Sequence, residues 1–211
     1  MEAFRKRYLR TPGEFYGVLR SSLAAVLGAI GTRREHRVSQ AFAEKLMLAV
    51  SGVNECTFCS YRHTRTALEQ GVSQDEIRAL IAGDVAGFAG EEAIGIAYAQ
   101  HWAESRGRPS AAARDRAVSC YGEDRVRYME VFMRMVELGN LCSNTVEAYR
   151  KGVRVEGARV RFFLIYLVCV PVALLIRRSG RRRNAAGGPS MTQELEELEQ
   201  RLDRSRKGPG R

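Results

Sequence analysis

Two cysteines and a histidine lie close together in the chain, with a spacing that could support redox chemistry. The segment 54–63 reads NECTFCSYRH and contains Cys56, Cys59 and His63. With about 100° of rotation per residue in a helix, these three side chains fall within an arc of roughly 60°. The two thiols can then approach each other, and the imidazole lies one turn beyond Cys59. This arrangement predicts a pair of thiols that interconverts with a disulfide.

The start of a helix is a favourable place for such a pair, because backbone N–H groups and the helix dipole stabilise a thiolate. We expect Asn54 to be the N-cap, which places Cys56 in the first turn. His63 can take the proton of Cys59 or stabilise its anion. From the residues alone, the helix start favours Cys56 as the thiolate and contact with His63 favours Cys59, so both assignments stay open.

Two other interpretations fit the same residues. Cys56, Cys59, His63 and Glu44 are all types that can ligate zinc, although the chain has no second C-x-x-C pair to complete a usual four-ligand site. Two small cysteines beside a helical histidine could also be packing residues. The redox interpretation is preferred, so we expect no metal and no cofactor apart from a Cys56–Cys59 disulfide.

The spacing extends to a fourth residue, and the whole pattern resembles a known family. Glu44 is followed by eleven residues and then by Cys56, Cys59 and His63 in the order C-x-x-C-x-x-x-H. This pattern, with the preceding KLMLAVSGVNECTFC, resembles the AhpD-like alkylhydroperoxidase branch of the carboxymuconolactone decarboxylase-like family. The resemblance covers residues 34–105 well and extends to about 150 more loosely. Glu44 alone would be typical of a solvated helical carboxylate.

The resemblance implies a helical fold that usually oligomerises and an activity that reduces peroxides or disulfides. The substrate would be an organic hydroperoxide, and a thiol or dithiol protein would restore the reduced state. By analogy Cys59 attacks the peroxide, Cys56 resolves the sulfenic acid, and Glu44 and His63 relay protons. The sequence departs from the family at Phe58, where the best-studied peroxidases have a second histidine.

The elements that must position these residues are helices, because the helical period recurs along the chain and no stretch alternates like a strand. The fold class is therefore predicted to be all-α, and the resemblance implies an AhpD-like helical bundle, followed by a C-terminal apolar helix and a short polar terminal helix. In the bundle we expect seven helices, over residues 14–30, 34–50, 54–70, 73–83, 91–105, 110–122 and 123–150. Other cysteines and histidines are interpreted as packing, surface or structural residues: Cys120, Cys142, Cys169, His36 and His101.

The charge of the chain is concentrated near one end. Residues 1–149 hold 19 Lys/Arg and 18 Asp/Glu, whereas residues 150–211 hold 15 and 6. A nearly neutral body with a basic C-terminal segment is unlike a nucleic-acid-binding domain, so no nucleic-acid partner is expected. The first residues lack the apolar core of a signal peptide, which favours the cytoplasm. The N-terminal basic residues Arg5, Lys6, Arg7 and Arg10 are expected to be solvated.

The C-terminal region changes character at about residue 158. Residues 162–176 read FFLIYLVCVPVALLI, with no charge, and arginines precede and follow them. Fifteen helical residues span roughly 22 Å, less than a hydrocarbon core of about 30 Å. We predict a redox domain at 1–157, a membrane-associated apolar segment at 158–178, a basic flexible linker at 179–190, and a polar helix and tail at 191–211. A buried oligomer-interface helix is the alternative for the apolar run.

The sequence therefore favours a thiol–disulfide oxidoreductase held at the cytoplasmic face of a membrane. One alternative is a non-redox decarboxylase-like member of the same broad family, which would not need both thiols. A second alternative is a membrane-tethered helical scaffold or redox sensor.

Overall fold

Seven helices make up the structure, a computed structural model that describes residues 4–29 and 37–153. Within those ranges it contains no strand, which confirms the predicted all-α class. The helices are α1 (Pro12–Ala29), α2 (Gln40–Val53), α3 (Thr57–Glu69), α4 (Gln74–Ala82), α5 (Gly90–Glu104), α6 (Ala111–Tyr121) and α7 (Glu123–Arg150).

The helix ends follow local signals in the sequence. Ser73 and Glu76 form the predicted capping box of α4, in which the Ser73 hydroxyl accepts from the Glu76 N–H and the Glu76 carboxylate accepts from the Ser73 N–H. Gly83 ends α4 in the left-handed conformation, with φ of 80°. Ser110 caps α6, and Gly122 separates α6 from α7. These ends agree with the predicted ones.

The predicted range of α2, residues 34–50, was wrong at both ends. The helix begins at Gln40, after its N-cap Ser39, and continues past Gly52 to Val53. Gly52 serves packing instead, because a Cβ atom at this position would lie 2.8 Å from the Ile81 carbonyl oxygen and 3.0 Å from that of Leu80. The missing side chain therefore lets α2 approach the backbone of α4.

Helix α2 lies at the centre of the bundle and packs against α3, α4, α5 and α7. Its apolar side chains belong to the main core, together with residues from the other helices. The fully buried members include Leu46, Leu48, Val50, Leu80, Ile96, Trp102, Val126, Met129 and Met133. Because α2 is enclosed in this way, polar side chains on it are held in fixed positions.

Lys45 forms a charged cluster that ties α2 to two neighbouring helices. Its Nζ lies 2.7 Å from a Glu76 oxygen on α4 and 2.6 Å from a Glu92 oxygen on α5. The Lys45 side chain is only 10% exposed, so the two carboxylates supply the polar partners that burial removes.

Residues 4–10, which we call the N-terminal strap, lie against α7. The prediction that the basic N-terminal residues are solvated was wrong for two of them. Lys6 Nζ lies 2.7 Å from Glu147, and Arg7 lies 2.7 Å from the buried Glu137. Leu9 is buried in a second, smaller apolar cluster and donates its backbone N–H to Thr145. The strap is therefore part of the folded body.

The predicted C-terminal segments at 158–178, 179–190 and 191–211 lie outside the described residues, as do His36 and Cys169. Within the described ranges, the helices include none with the length and apolar character needed to cross a membrane. The prediction that residues 162–176 attach to a membrane stays a prediction.

Candidate functional site

A tight turn between α2 and α3 brings the two cysteines to the start of α3. Two hydrogen bonds close the turn: Glu55 N–H to the Gly52 carbonyl, at 3.0 Å, and Cys56 N–H to the Ser51 carbonyl, at 3.1 Å. Glu55 is in the left-handed region, with φ of 52°. This hydrogen-bond pattern is the Schellman ending of a helix. The end of α2 therefore fixes where Cys56 lies.

Cys56 is itself the N-cap of α3, so the prediction that Asn54 caps this helix was wrong. Cys56 has extended backbone angles, and its Sγ accepts from the Cys59 N–H at 3.4 Å. Asn54 instead ends α2, and its carbonyl accepts from the side-chain amide of Asn144 at 2.8 Å. The Schellman turn accounts for the difference, because it adds two residues between the helices.

The structure brings the two sulfur atoms together in a buried site. Cys56 is 1% exposed and Cys59 is 6% exposed, and both are free thiols. A hydrogen bond from the Cys59 thiol and a second one from the Cys59 N–H lower the pKa of Cys56. The same thiol–thiol hydrogen bond, together with burial, raises the pKa of Cys59 well above its ordinary value. Cys56 is thus the sulfur that carries negative charge first.

Glu44 and His63 form a second pair, which joins α2 to α3. The Glu44 carboxylate on α2 lies 2.7 Å from His63 Nδ1 on α3. Glu44 is buried, with 8% of its side chain exposed, whereas 20% of the His63 side chain is exposed. The carboxylate fixes the orientation of the ring. The four residues of the motif therefore form two contacts, Cys56 with Cys59 and Glu44 with His63.

Helix α7 forms the other side of the sulfur site. The Ser143 Oγ lies 3.9 Å from the Cys59 Sγ, and a Cβ atom on Gly139, one turn earlier, would lie 3.7 Å from the same sulfur. Two further polar residues of this helix are buried. Asn140 accepts a hydrogen bond from the Ser51 hydroxyl of α2, and Asn144 donates one to the carbonyl of Asn54, which ends α2. Sequence reasoning missed this contribution.

A signal for the role of α7 was present in the sequence. Glu137, Asn140, Ser143, Asn144 and Glu147 recur at intervals of three or four residues, so they share one helix face. All five are polar groups that belong near water unless they have partners, and a polar stripe within an otherwise packed helix indicates a buried contact face. Which element that face meets depends on the fold.

The N-terminal strap also reaches the site. Lys6 Nζ donates to Thr57 Oγ1 at 3.1 Å, and Thr57 is the first residue of α3, directly after Cys56. The positive charge of Lys6 contributes to the lowered pKa of Cys56. Asn144 donates both to the Arg7 carbonyl, at 2.9 Å, and to the Asn54 carbonyl, so one side chain connects the strap to the turn before Cys56.

The other candidate residues lie outside this arrangement. His101 Nε2 accepts from the Ser110 N–H, so the histidine has the structural role that was predicted. Cys142 is buried beside Leu141, and Cys120 is partly exposed on α6. Phe58, at the position of the missing histidine, is 37% exposed. In the described part of the chain, no group of three or more His, Cys, Asp or Glu side chains is placed to hold a metal ion.

Comparison with known proteins finds a family match for part of the chain. Residues 21–100 match the model of the Carboxymuconolactone decarboxylase family. The matched segment contains α2, α3 and α4 in full, and with them Glu44, Cys56, Cys59 and His63. The match therefore covers the residues on which the resemblance to this family rests. No curated protein and no solved structure matches the chain significantly.

Proposed function

We propose that this chain, which carries a carboxymuconolactone decarboxylase family segment at residues 21–100, is a thiol–disulfide oxidoreductase that reduces organic hydroperoxides. The observation that carries the proposal is the hydrogen bond from the Cys59 N–H to the Cys56 sulfur at the N-cap of α3. A thiol held against the first turn of a helix is stabilised as the thiolate, which is the form that reacts with peroxide.

In the proposed reaction the Cys56 thiolate attacks one oxygen of the hydroperoxide. A sulfur–oxygen bond forms, the O–O bond breaks, and the alkoxide takes up a proton and leaves as an alcohol. The Cys59 thiol then displaces the hydroxyl of the Cys56 sulfenic acid as water, giving the disulfide. This order reverses the one that the family resemblance implied, in which Cys59 attacks. The lowered pKa of Cys56 and the raised pKa of Cys59 support the reversal.

Glu44 and His63 are the proposed proton relay. Their contact at 2.7 Å connects a buried carboxylate to a partly exposed imidazole, one helical turn after Cys59. The imidazole can supply the proton that the alkoxide needs and recover it from solvent, while the carboxylate holds the ring in place. The cycle closes when a thiol or dithiol protein supplies two electrons and two protons to the disulfide.

The family match by itself also fits a decarboxylase-type reaction, because that reaction gives the family its name. Such a reaction changes no oxidation state of sulfur. Disulfide formation needs two neighbouring thiols, whereas decarboxylation does not. The buried contact between Cys56 and Cys59 therefore favours the oxidoreductase.

Turnover of an organic hydroperoxide with dithiothreitol as the reductant tests this function. We expect consumption of cumene hydroperoxide that depends on the protein and is lost in Cys56→Ser and in Cys59→Ser. Cys120→Ser is the matched control, because Cys120 lies on α6 and should not affect the rate. A rate that survives loss of either Cys56 or Cys59 would exclude the proposed cycle.

We also propose that the chain associates with a membrane through residues 162–176 at the cytoplasmic face, and that it forms a homo-oligomer. The flanking arginines would each add roughly 1 kcal/mol at an anionic surface. The full chain should then sediment with membranes, resist high salt and be released by detergent, whereas a chain ending at residue 157 should stay in solution. If the full chain is soluble and the truncation changes the oligomeric state, the segment is an interface helix instead.

A further inference from the structure

Ser143 lies at the reacting sulfur atoms although it belongs to neither the cysteine motif nor the family match at residues 21–100. It is on α7, more than eighty residues beyond Cys59 in the sequence, and its Oγ is 3.9 Å from the Cys59 Sγ. The distance is within the range of a hydrogen bond that involves sulfur. α7 packs against α3 in the same region, so the contact is built into the bundle.

The surroundings of Ser143 hold its hydroxyl near both sulfurs. Gly139, one turn earlier on α7, carries no side chain that could separate the helix from Cys59. Asn144, the next residue, is anchored to the Asn54 carbonyl directly before the cysteine turn. The Ser143 hydroxyl is a hydrogen-bond partner of both thiols, and it lowers the pKa of each. The helix register around Ser143 is therefore fixed from two sides.

The hydrogen bonding of Ser143 differs from that of Thr145, two residues further along α7. Thr145 donates to the carbonyl of Leu141 in its own helix, which is the usual arrangement for a helical hydroxyl. Within the described residues, the Ser143 hydroxyl has the sulfur as its partner instead. A hydroxyl is both donor and acceptor, so it can donate to a thiolate and accept from a thiol without moving.

We propose that Ser143 is a further catalytic residue, whose hydroxyl donates a hydrogen bond to the sulfur that carries negative charge during the thiol–disulfide cycle. The inference rests on the proposed function. In the attack on peroxide, the hydroxyl stabilises the Cys56 thiolate and transfers no proton of its own. When Cys59 displaces water from the sulfenic acid, the same hydroxyl lies beside the sulfur that is losing its proton.

Other charged groups around the sulfurs must stay constant in a test of this proposal. Lys6 of the strap pairs with Glu147 of α7 and contacts Thr57. The nearby thiol of Cys142 adds to the raised pKa of Cys59. Glu44 of α2 pairs with His63 of α3. Substitutions at Ser143 that are neutral and similar in shape leave all of these groups in place.

The pH dependence of thiol alkylation by iodoacetamide, with the modified residues identified by mass spectrometry, tests the proposal on the full chain. Ser143→Thr keeps the hydroxyl, and Ser143→Val has the same shape without it. We expect alkylation at pH 7 to be close to that of the parent in the Thr variant and about tenfold slower in the Val variant, with its apparent pKa moved upward. Ser143→Ala should resemble Val, and Ser105→Ala, which removes a distant hydroxyl, should have no effect.

Equal alkylation profiles in the Thr and Val variants would overturn the role of Ser143. If Ser143→Val does not fold, the comparison of Ser143→Ala with the parent decides the question. The measurement uses no peroxide. A parent protein that fails to react with hydroperoxide would therefore refute the proposed function, whereas unchanged profiles would refute the role of Ser143 alone.

Discussion

The backbone N–H of Cys59 donates a hydrogen bond to the sulfur of Cys56, with nitrogen and sulfur 3.4 Å apart. Cys56 thus takes the position of an N-cap, where serine, threonine, aspartate or asparagine is usual. A thiolate accepts such a bond more strongly than a thiol, so the geometry favours ionisation of Cys56. The two cysteines of the motif are therefore chemically different before any substrate arrives.

The first prediction concerns the reactivity of these thiols. Because its pKa is lowered from 9.0, Cys56 should react with iodoacetamide at pH 7 faster than Cys59, whose pKa is raised. The alkylation rate of Cys56 should increase with pH and reach half of its maximum below pH 9, since the thiolate is the nucleophile. Peptide mapping after brief labelling measures both residues in one sample. Preferential labelling of Cys59 would restore the order implied by the family resemblance.

The second prediction concerns the proton relay. Removing a positioned acid or base typically slows a reaction by about 10²–10⁴-fold. Glu44→Gln and His63→Ala should therefore slow single-turnover oxidation by hydroperoxide within that range, while circular dichroism shows an unchanged helix content. His101→Ala is the matched control, because His101 bonds to Ser110 away from the sulfurs. Rates within twofold of the parent would remove Glu44 and His63 from the mechanism.

The third prediction concerns the contact between α2 and α4. Gly52→Ala places a Cβ atom 2.8 Å from the Ile81 carbonyl oxygen, and backbone must shift to relieve the contact. We expect a loss of about 1–3 kcal/mol in the free energy of unfolding, measured by urea denaturation. Gly17→Ala on α1 is the control, because open space surrounds that position. It should stabilise the protein by about 0.5–1 kcal/mol, and equal effects of both substitutions would contradict the packing argument.

The fourth prediction concerns acid stability. Hydrogen bonds from Lys45 and Ser73 lower the pKa of Glu76 from 4.5 to about 2. A lowered folded-state pKa contributes stability that is present above pH 4.5 and is lost as the pH falls toward 2. About 33% of the Glu76 side chain is exposed, so solvent screening reduces this contribution to roughly 1 kcal/mol.

Replacing Lys45 isolates its part of that effect. Between pH 5 and pH 2.5 the Lys45→Met protein should lose less of its unfolding free energy than the parent, although it starts from a lower value. Urea denaturation across this pH range measures both proteins. Parallel pH profiles would show that Lys45 does not set the pKa of Glu76.

The sequence predicted the features that depend on neighbouring residues. Hydrophobic period and the residues at helix ends are local signals, so the all-α class and many helix ends were recovered, and α7 was predicted over the range that it occupies. The spacing of the motif likewise predicted that Cys56 and Cys59 lie close together, because residues on one face of a helix are neighbours. The catalytic roles of Glu44, Cys56, Cys59 and His63 stay predictions.

The remaining features depend on contacts between distant segments. Ser143 reaches Cys59 across two packed helices, and Lys6 reaches Thr57 from the N-terminal strap. The polar stripe of α7 indicates a buried face but not its partner, and the strap has no periodic signal. Both pairings are decided by how α7 lies against α3 and the strap. The N-cap role of Cys56 was missed for a related reason. It depends on the Schellman turn, in which Glu55 adopts a left-handed conformation that glycine usually adopts.

The central claim is that Cys56 and Cys59 form a redox couple, and one measurement tests it most directly. Intact-protein mass spectrometry, with alkylation under denaturing conditions, should follow treatment of the reduced full chain with one equivalent of cumene hydroperoxide. We predict the loss of two hydrogen atoms, protection of Cys56 and Cys59 from alkylation, a disulfide between them in the peptide map, and recovery with dithiothreitol. If both cysteines stay fully alkylatable after peroxide treatment, the chain is not a thiol–disulfide oxidoreductase.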